Sequence, residues 1–306
     1  MLKTYNIKST LEKLKEGFSI NEKDLLLLVL KMVLIILLIL MKDNTVLAIL
    51  VPVIVVPGLL FNRIASNKYF WLLLSLFSVI PYLILDLVGY VPNHKHIFAY
   101  VILAITLMLF FSEKNSILNN LRVQAKYIIG LCFLFAVAGK FLAPEFVDGS
   151  FFKFTNTIDP RFYGFTSFVA DVDPLLLKEN EINMQNLLST NNTELFFDVN
   201  GAEGLSTIGL IISYWTIFIE GMIAITFCLP ATTLLSKYRN VFLIAFILTT
   251  YPIATVYGFA IILATLGFIQ ATKPNKLTKY AMFYLLVFIL LPLIKIPFIR
   301  VISAIF

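Results

Sequence analysis

The sequence predicts an all-α fold, a polytopic integral membrane helical bundle of about eight or nine transmembrane helices. Three observations predict it. The chain is 59% hydrophobic and only 14% charged, with a mean hydropathy of +0.91, where soluble domains are about half apolar. Apolar runs approaching the roughly 20 residues needed to cross a bilayer recur along its length. The short segments between alternate runs carry lysine and arginine, as the positive-inside rule requires of cytoplasmic loops.

In chain order, residues 1–23 form a basic segment holding Lys3, Lys8, Lys13, Lys15 and Lys23, without the apolar stretch of a cleavable signal. The transmembrane bundle covers 24–295. Its expected spans are Asp24 to Met41, Thr45 to Phe61, Tyr69 to Gly89, Ile97 to Ser112, Val123 to Ala143, Thr207 to Pro230 and Tyr280 to about Lys295. The run from Asn240 to Ala271 is long for one span, and its Thr-Thr-Tyr-Pro break at Thr249 to Pro252 favours two helices. Residues 296–306 form a C-terminal tail.

With the N-terminus in the cytoplasm, Arg63, Lys68, Lys114, Arg122, Lys237, Arg239, Lys273, Lys276 and Lys279 all fall on the inner side. The plasma (inner) membrane is the expected location. Residues 144–206 fall outside as an extracytoplasmic acidic loop, with ten acidic residues against three basic ones. Its aromatic start, Phe146 to Phe168, suits the membrane interface. The stretch from Pro174 suits a short amphipathic helix, and the stretch from Ser189 to Gly204 reads as turn and coil.

The net charge of +6 is scattered over these loops, so the bilayer and not nucleic acid is the expected partner. Cys132 and Cys228 lie in separate apolar runs, which argues against a disulfide framework, thiol-redox chemistry or structural zinc.

Polar groups inside the apolar runs are the candidate site residues, because a charge at a helix centre in the bilayer costs about 2.5–3.5 kcal/mol on insertion scales. Lys140 stands near the end of its span, beside small residues Ala125, Cys132, Ala136, Gly139 and Ala143 that favour helix packing. It either lines a protein cavity or snorkels to the interface. Glu220 lies deeper in its span, on one face with Ser213 and Thr216, as a proton-transfer group or an interhelical hydrogen-bonding group.

Asp86 continues a line of Ser75, Ser78 and Tyr82 on one helical face, as a partner for a cation or a helix-end group. His94 and His96 are the chain's two histidines. They suit proton transfer near neutral pH better than metal binding, since His-x-His lacks a fixed third ligand; no metal is expected. Lys31 in the first span reads as structural.

The segments PNHKHIFAYVILAITLMLFF and AGKFLAPEFVDGSFF resemble the integral-membrane region of vitamin K-dependent gamma-carboxylase and its bacterial relatives, the horizontally transferred transmembrane (HTTM) proteins. The matching residues are Asn93, His94, Ala138, Gly139, Lys140, Leu142, Phe146, Asp148 and Gly149. The resemblance implies that Lys140 acts as base toward a reduced quinone, assisted by His94. Phe141 stands where the family pattern has lysine or leucine, and the lysine-to-glycine spacing is about one residue longer. The large extramembrane domain that carboxylases use for protein substrates has no counterpart within this chain, so peptide carboxylation is not expected. FLFAVAGKFLAP is also similar to the lysine-bearing helix of DoxX-like membrane proteins, which are linked to quinone or redox processes.

Three function classes follow. The first is an enzyme or binding protein for a quinone or other lipophilic substrate, with Lys140 and His94 catalytic and Asp86, Glu220 and His96 in substrate binding or proton transfer. The second is a noncatalytic maturation, immunity or assembly factor that meets a protein partner through the 144–206 loop. The third is a proton-coupled transporter built on Glu220.

Overall fold

A computed structural model describes residues 18–40, 45–88, 93–113, 115–190, 204–254 and 256–292; the side chains of 45–48, 78–79, 81–88 and 190 are not described. The basic residues before Phe18, the coil expected at 191–203 and the tail at 296–306 lie outside these residues. The protein is helical apart from one two-residue strand pair. The elements are β1 (Phe18–Ser19), α1 (Glu22–Leu40), α2 (Thr45–Leu60), α3 (Asn62–Ala65), α4 (Lys68–Val88), α5 (Asn93–Phe111), α6 (Ile117–Leu142), α7 (Pro144–Val147), α8 (Ser150–Ile158), α9 (Tyr163–Ala170), α10 (Pro174–Thr190) and α11 (Leu205–Cys228). A 3₁₀ turn (Leu235–Tyr238), α12 (Arg239–Thr250), α13 (Tyr257–Ala271), β2 (Lys276–Leu277) and α14 (Lys279–Leu290) follow.

Three of the helices among the described residues, α5, α6 and α11, are long and apolar enough to cross a membrane. The expected count of eight or nine is not supported. Helix α1 starts two residues before the first expected span and adds Glu22 and Lys23 to its Asp24 and Lys31; the end of that span, Met41, lies outside the described residues. Tyr257–Ala271 and Lys279–Leu290 are shorter apolar helices, whereas α2 and α4 run for 16 and 21 residues, with part of their side chains outside the described residues. The expected break at Thr249 to Pro252 is present: α12 stops at Thr250 and α13 begins at Tyr257.

The chain forms two compact units, residues 1–129 with 257–293, and residues 130–256 with 294–306. In the first, α13 is buried from Gly258 through Ala271, apart from Phe259, as expected of a helix apolar on all sides. Gly267 lies under the Tyr284 ring of α14, where a Cβ would come within 2.8 Å of it. Helix α1 packs beside α13 through Leu25, Val29, Leu30 and their neighbours.

The pair α4 and α5 is tied by polar groups. Ser75 and Thr106 hydroxyls meet at 2.6 Å, while the buried Trp71 indole donates to the Ala65 carbonyl of α3 at 2.7 Å and so ties α4 to that helix. Ser75, the described start of the polar line leading to Asp86, therefore serves helix pairing. In an apolar setting such bonds keep a hydroxyl from being buried unsatisfied.

In the second unit, residues 144–190 are a set of short helices and not a loop. Part of the aromatic segment expected at the membrane interface packs inward, while Phe154 and Phe168 are exposed: Phe146 stacks on Phe151 at 4.1 Å between ring centroids, and Phe152 meets Phe146, Phe151 and Phe162 edge to face. These rings pack with Ile208, Ile212 and Ala254 in one apolar cluster.

Hydrogen bonds to backbone carbonyls satisfy three buried polar side chains of this layer, whereas the buried Ser167 hydroxyl has no hydrogen-bond partner among the described residues. Asn156 donates to Phe152 O at 2.7 Å, Thr166 to Asn156 O at 2.9 Å and Tyr163 to Leu177 O at 2.8 Å. Such bonds let helices pack face to face without orphaned donors. Helix α10 starts at Pro174, as the sequence predicts.

Candidate functional site: a buried lysine–glutamate pair

Within the second unit, α6 meets the end of α11 at Gly130. A Cβ there would meet Cys228 Sγ at 2.8 Å. The small-residue stripe predicted through Gly139 is corrected at that end, since a Cβ on Gly139 would meet nothing within 4 Å. Gly130 supplies the tight contact, and the space beside Gly139 stays open.

Further along α6, Lys140 reaches Glu220 of α11. Nζ lies 2.6 Å from Oε2, and the side chains are only 15% and 9% exposed. Both residues sit in helices long and apolar enough to span a bilayer. Glu220 thus receives the cation that the sequence required for a buried carboxylate, and Lys140 points into protein instead of snorkelling outward. Each charge offsets part of the other's desolvation.

The pair has a defined surround. Lys140 Nζ lies 5.5 Å from the Phe146 ring centroid, within cation–π range. Cys132, about two turns earlier on α6, lies within electrostatic reach of both charges. On α11, Thr216 donates to Ile212 O at 2.7 Å, whereas the buried Ser213 hydroxyl has no hydrogen-bond partner among the described residues. Gly221, next to Glu220, also has open space where a Cβ would stand. Phe141 and Leu142, which follow Lys140, are exposed.

The Asp148-Gly149 motif after Lys140 serves local structure. Gly149 adopts φ +80 and caps α8, a left-handed conformation that glycine accepts readily. Its neighbour Gly209 makes the converse contact, since a Cβ there would meet Gly149 O at 2.7 Å. Asp148 Oδ1 accepts the Ser150 amide at 2.8 Å, which orders the first turn of α8.

The Ser150 hydroxyl, and then its amide, hold the Asp148 carboxyl below its ordinary range. A depressed folded-state value means that this contribution is present above the unfolded carboxyl's titration range. It is lost as pH falls through the folded one. Protection of the amides at the start of α8, taken relative to their intrinsic exchange rate at each pH, should therefore fall on acidification below the ordinary aspartate range, and Asp148→Asn should remove that dependence. An identical acid response in the variant would assign it elsewhere.

The remaining candidates are placed differently. His94, in the first turn of α5, belongs to the first unit and lies over Gly258 of α13, where a Cβ would come within 2.5 Å of its ring. Gly258→Ala should displace this imidazole and lower stability by about 1–3 kcal/mol, visible as a reduced melting temperature in detergent. An unchanged melt would show that the ring moves freely. His96 is half-buried in the same turn. Asp86 lies in α4, and its side chain is outside the described residues.

The structure therefore joins Lys140 with Glu220 and assigns the histidines to the other unit. No group of three or more His, Cys, Asp or Glu suited to a metal ion occurs among the described residues. Sequence reasoning missed Gly130 and Gly209, whose tight contacts only tertiary packing reveals. In comparisons with family models, curated proteins and solved structures, the chain matches none.

Proposed function

We propose that the chain is an HTTM-like integral membrane protein acting on a quinone or other hydroxyl-bearing lipophilic substrate, with Lys140 and Glu220 as a paired proton-transfer centre. The observation that carries this reading is the 2.6 Å Lys140–Glu220 contact within apolar helices. As an ion pair the lysine is protonated and is no base. Transfer of one proton across the hydrogen bond gives a neutral amine beside a neutral carboxylic acid, an exchange that desolvation favours relative to water.

The amine can then accept a proton from a substrate hydroxyl, leaving ammonium, substrate oxyanion and protonated Glu220. The ammonium stabilises the oxyanion electrostatically. Open space at Gly139 and Gly221 and the Phe146 ring beside Nζ suit a flat ring approaching from the apolar side. These features fit a reduced quinone, which would supply the acidic hydroxyl. On this reading Glu220, which the family pattern did not supply, joins Lys140.

The finer placement belongs to the same proposal: a polytopic bundle in the plasma (inner) membrane with its N-terminus in the cytoplasm. The β1–β2 pairing supports it by bringing Ser19 and Lys276, both expected on the inner side, together.

Identification of lipids that copurify with the detergent-extracted protein tests the function. An isoprenoid quinone should accompany the wild type and be depleted in Lys140→Ala at matched protein yield. Equal quinone in both samples, or none in either, would sink the reading.

A second reading, the partner-binding factor, is favoured by one observation. Phe168, Leu175 and Leu188 of α9 and α10 are 68%, 74% and 70% exposed. It predicts that polar replacements there abolish association with a protein partner while Lys140→Ala does not.

A further inference from the structure

At one end of the first unit the chain closes on itself as a clasp. Phe18–Ser19 pairs antiparallel with Lys276–Leu277, Ile20 N donates to Asn275 O at 3.2 Å, and Glu22 N donates to Asn275 Oδ1 at 3.2 Å. Asn275 takes a left-handed conformation at φ 54, which tightens the turn between α13 and β2. Thr278 fixes the far side: its hydroxyl donates to Ala271 O at 2.7 Å and accepts the Ala281 amide at 3.2 Å. Arg122 locks the arrangement from beneath, with Nη2 donating to Glu22 Oε1 at 2.9 Å and Nε to Thr272 Oγ1 at 3.0 Å.

This clasp gathers charge of one sign. Lys23, Lys273, Lys276 and Lys279 are all exposed on it. Glu22 is answered by Arg122, which leaves Asp24 as the remaining carboxylate of the segment against four lysines. Lys23, Lys273 and Lys276 have no carboxylate partner among the described residues. Arg122 Nη1 is buried, so the guanidinium faces inward and the lysines present the outward charge. Phe18, opposite Leu277, is 54% exposed in their midst.

We propose that this clasp binds the phosphodiester headgroup of an anionic phospholipid. Lysines clustered beside apolar helices attract acidic headgroups at about 1 kcal/mol each near the membrane surface. The exposed Phe18 ring discriminates between sources of that chemistry: an aromatic side chain gains by resting at the acyl boundary, and free phosphate offers it nothing. The inference rests on the membrane placement of the chain and is independent of the Lys140–Glu220 centre.

The test uses the full chain in a neutral detergent, titrated with short-chain phosphatidylglycerol, short-chain phosphatidylcholine or inorganic phosphate. Bound lipid is counted by native mass spectrometry, and phosphate binding is followed by calorimetry. Phosphatidylglycerol should bind about tenfold or more tightly than phosphatidylcholine, with the preference shrinking as salt rises. The combined variant Lys23→Gln, Lys273→Gln, Lys276→Gln, Lys279→Gln should lose the preference, and the corresponding four-arginine variant should keep it. Should the four-glutamine protein not fold, Lys273→Gln with Lys276→Gln should still weaken the preference. Equal binding of the two lipids, or a preference surviving the glutamine variants, overturns the proposal. Phosphate binding as tight as the lipid overturns the assignment to a lipid.

Discussion

Glu220→Ala is expected to destabilise the second unit by about 3 kcal/mol or more, because it leaves the Lys140 ammonium largely buried without its counter-charge. The double substitution Lys140→Met with Glu220→Leu should recover most of that loss, since a pair of well-packed apolar side chains needs no charge compensation. Thermal unfolding in detergent measures both. The same double variant separates stability from chemistry: the proposed function predicts that it folds and extracts normally yet carries no quinone. If the double variant is as unstable as the single, the pair does not hold the helices in the way argued from its geometry.

Gly149→Val carries the second large effect. The site has φ +80, and a Cβ would meet Leu210 N at 2.7 Å and its Cα at 2.8 Å, both backbone atoms. Left-handed strain in a β-branched residue and displacement of α8 from α11 act together, so about 3 kcal/mol or more is expected. Limited proteolysis should show it first, as new cleavage within α8 to α10. Gly204→Ala, where a Cβ meets nothing within 4 Å, should leave that pattern unchanged. Equal resistance in Gly149→Val and the wild type would show that the α8–α11 contact is not tight.

Local features were legible in the sequence where local chemistry decides them. Pro252 ends a helical run because proline lacks an amide and clashes with the preceding turn, and α12 and α13 separate there. Pro174 opens α10 for the converse reason, since the first turn needs no amide. Lys140 and Glu220 were each conspicuous as charges in apolar runs. Their pairing was not, because no periodicity links residues eighty positions apart, and Asp86 was an equally plausible partner by composition.

The aromatic segment misled for a related reason. Phe and Tyr suit both a membrane interface and a protein core, and only tertiary packing decides which. Phe146, Phe151 and Phe152 chose the core. The number of spans was less legible, because mean hydropathy does not register where a helix stops, as α12 does at Thr250.

The shortness of several helices bears on the bilayer itself. A 12-residue helix such as α12 is only about 18 Å long, against a hydrocarbon core of about 30 Å. Helix α13, at 15 residues, is buried almost all round and is hidden from its surroundings. The exposed side chains of α12, such as Val241 and Leu248, are not. On the proposed membrane placement, hydrophobic mismatch at α12 makes the surrounding lipid thin locally. Melting temperature in lipid nanodiscs should rise as acyl chains shorten toward the depth that this helix provides, and a flat dependence on chain length would show that lipid does not meet α12.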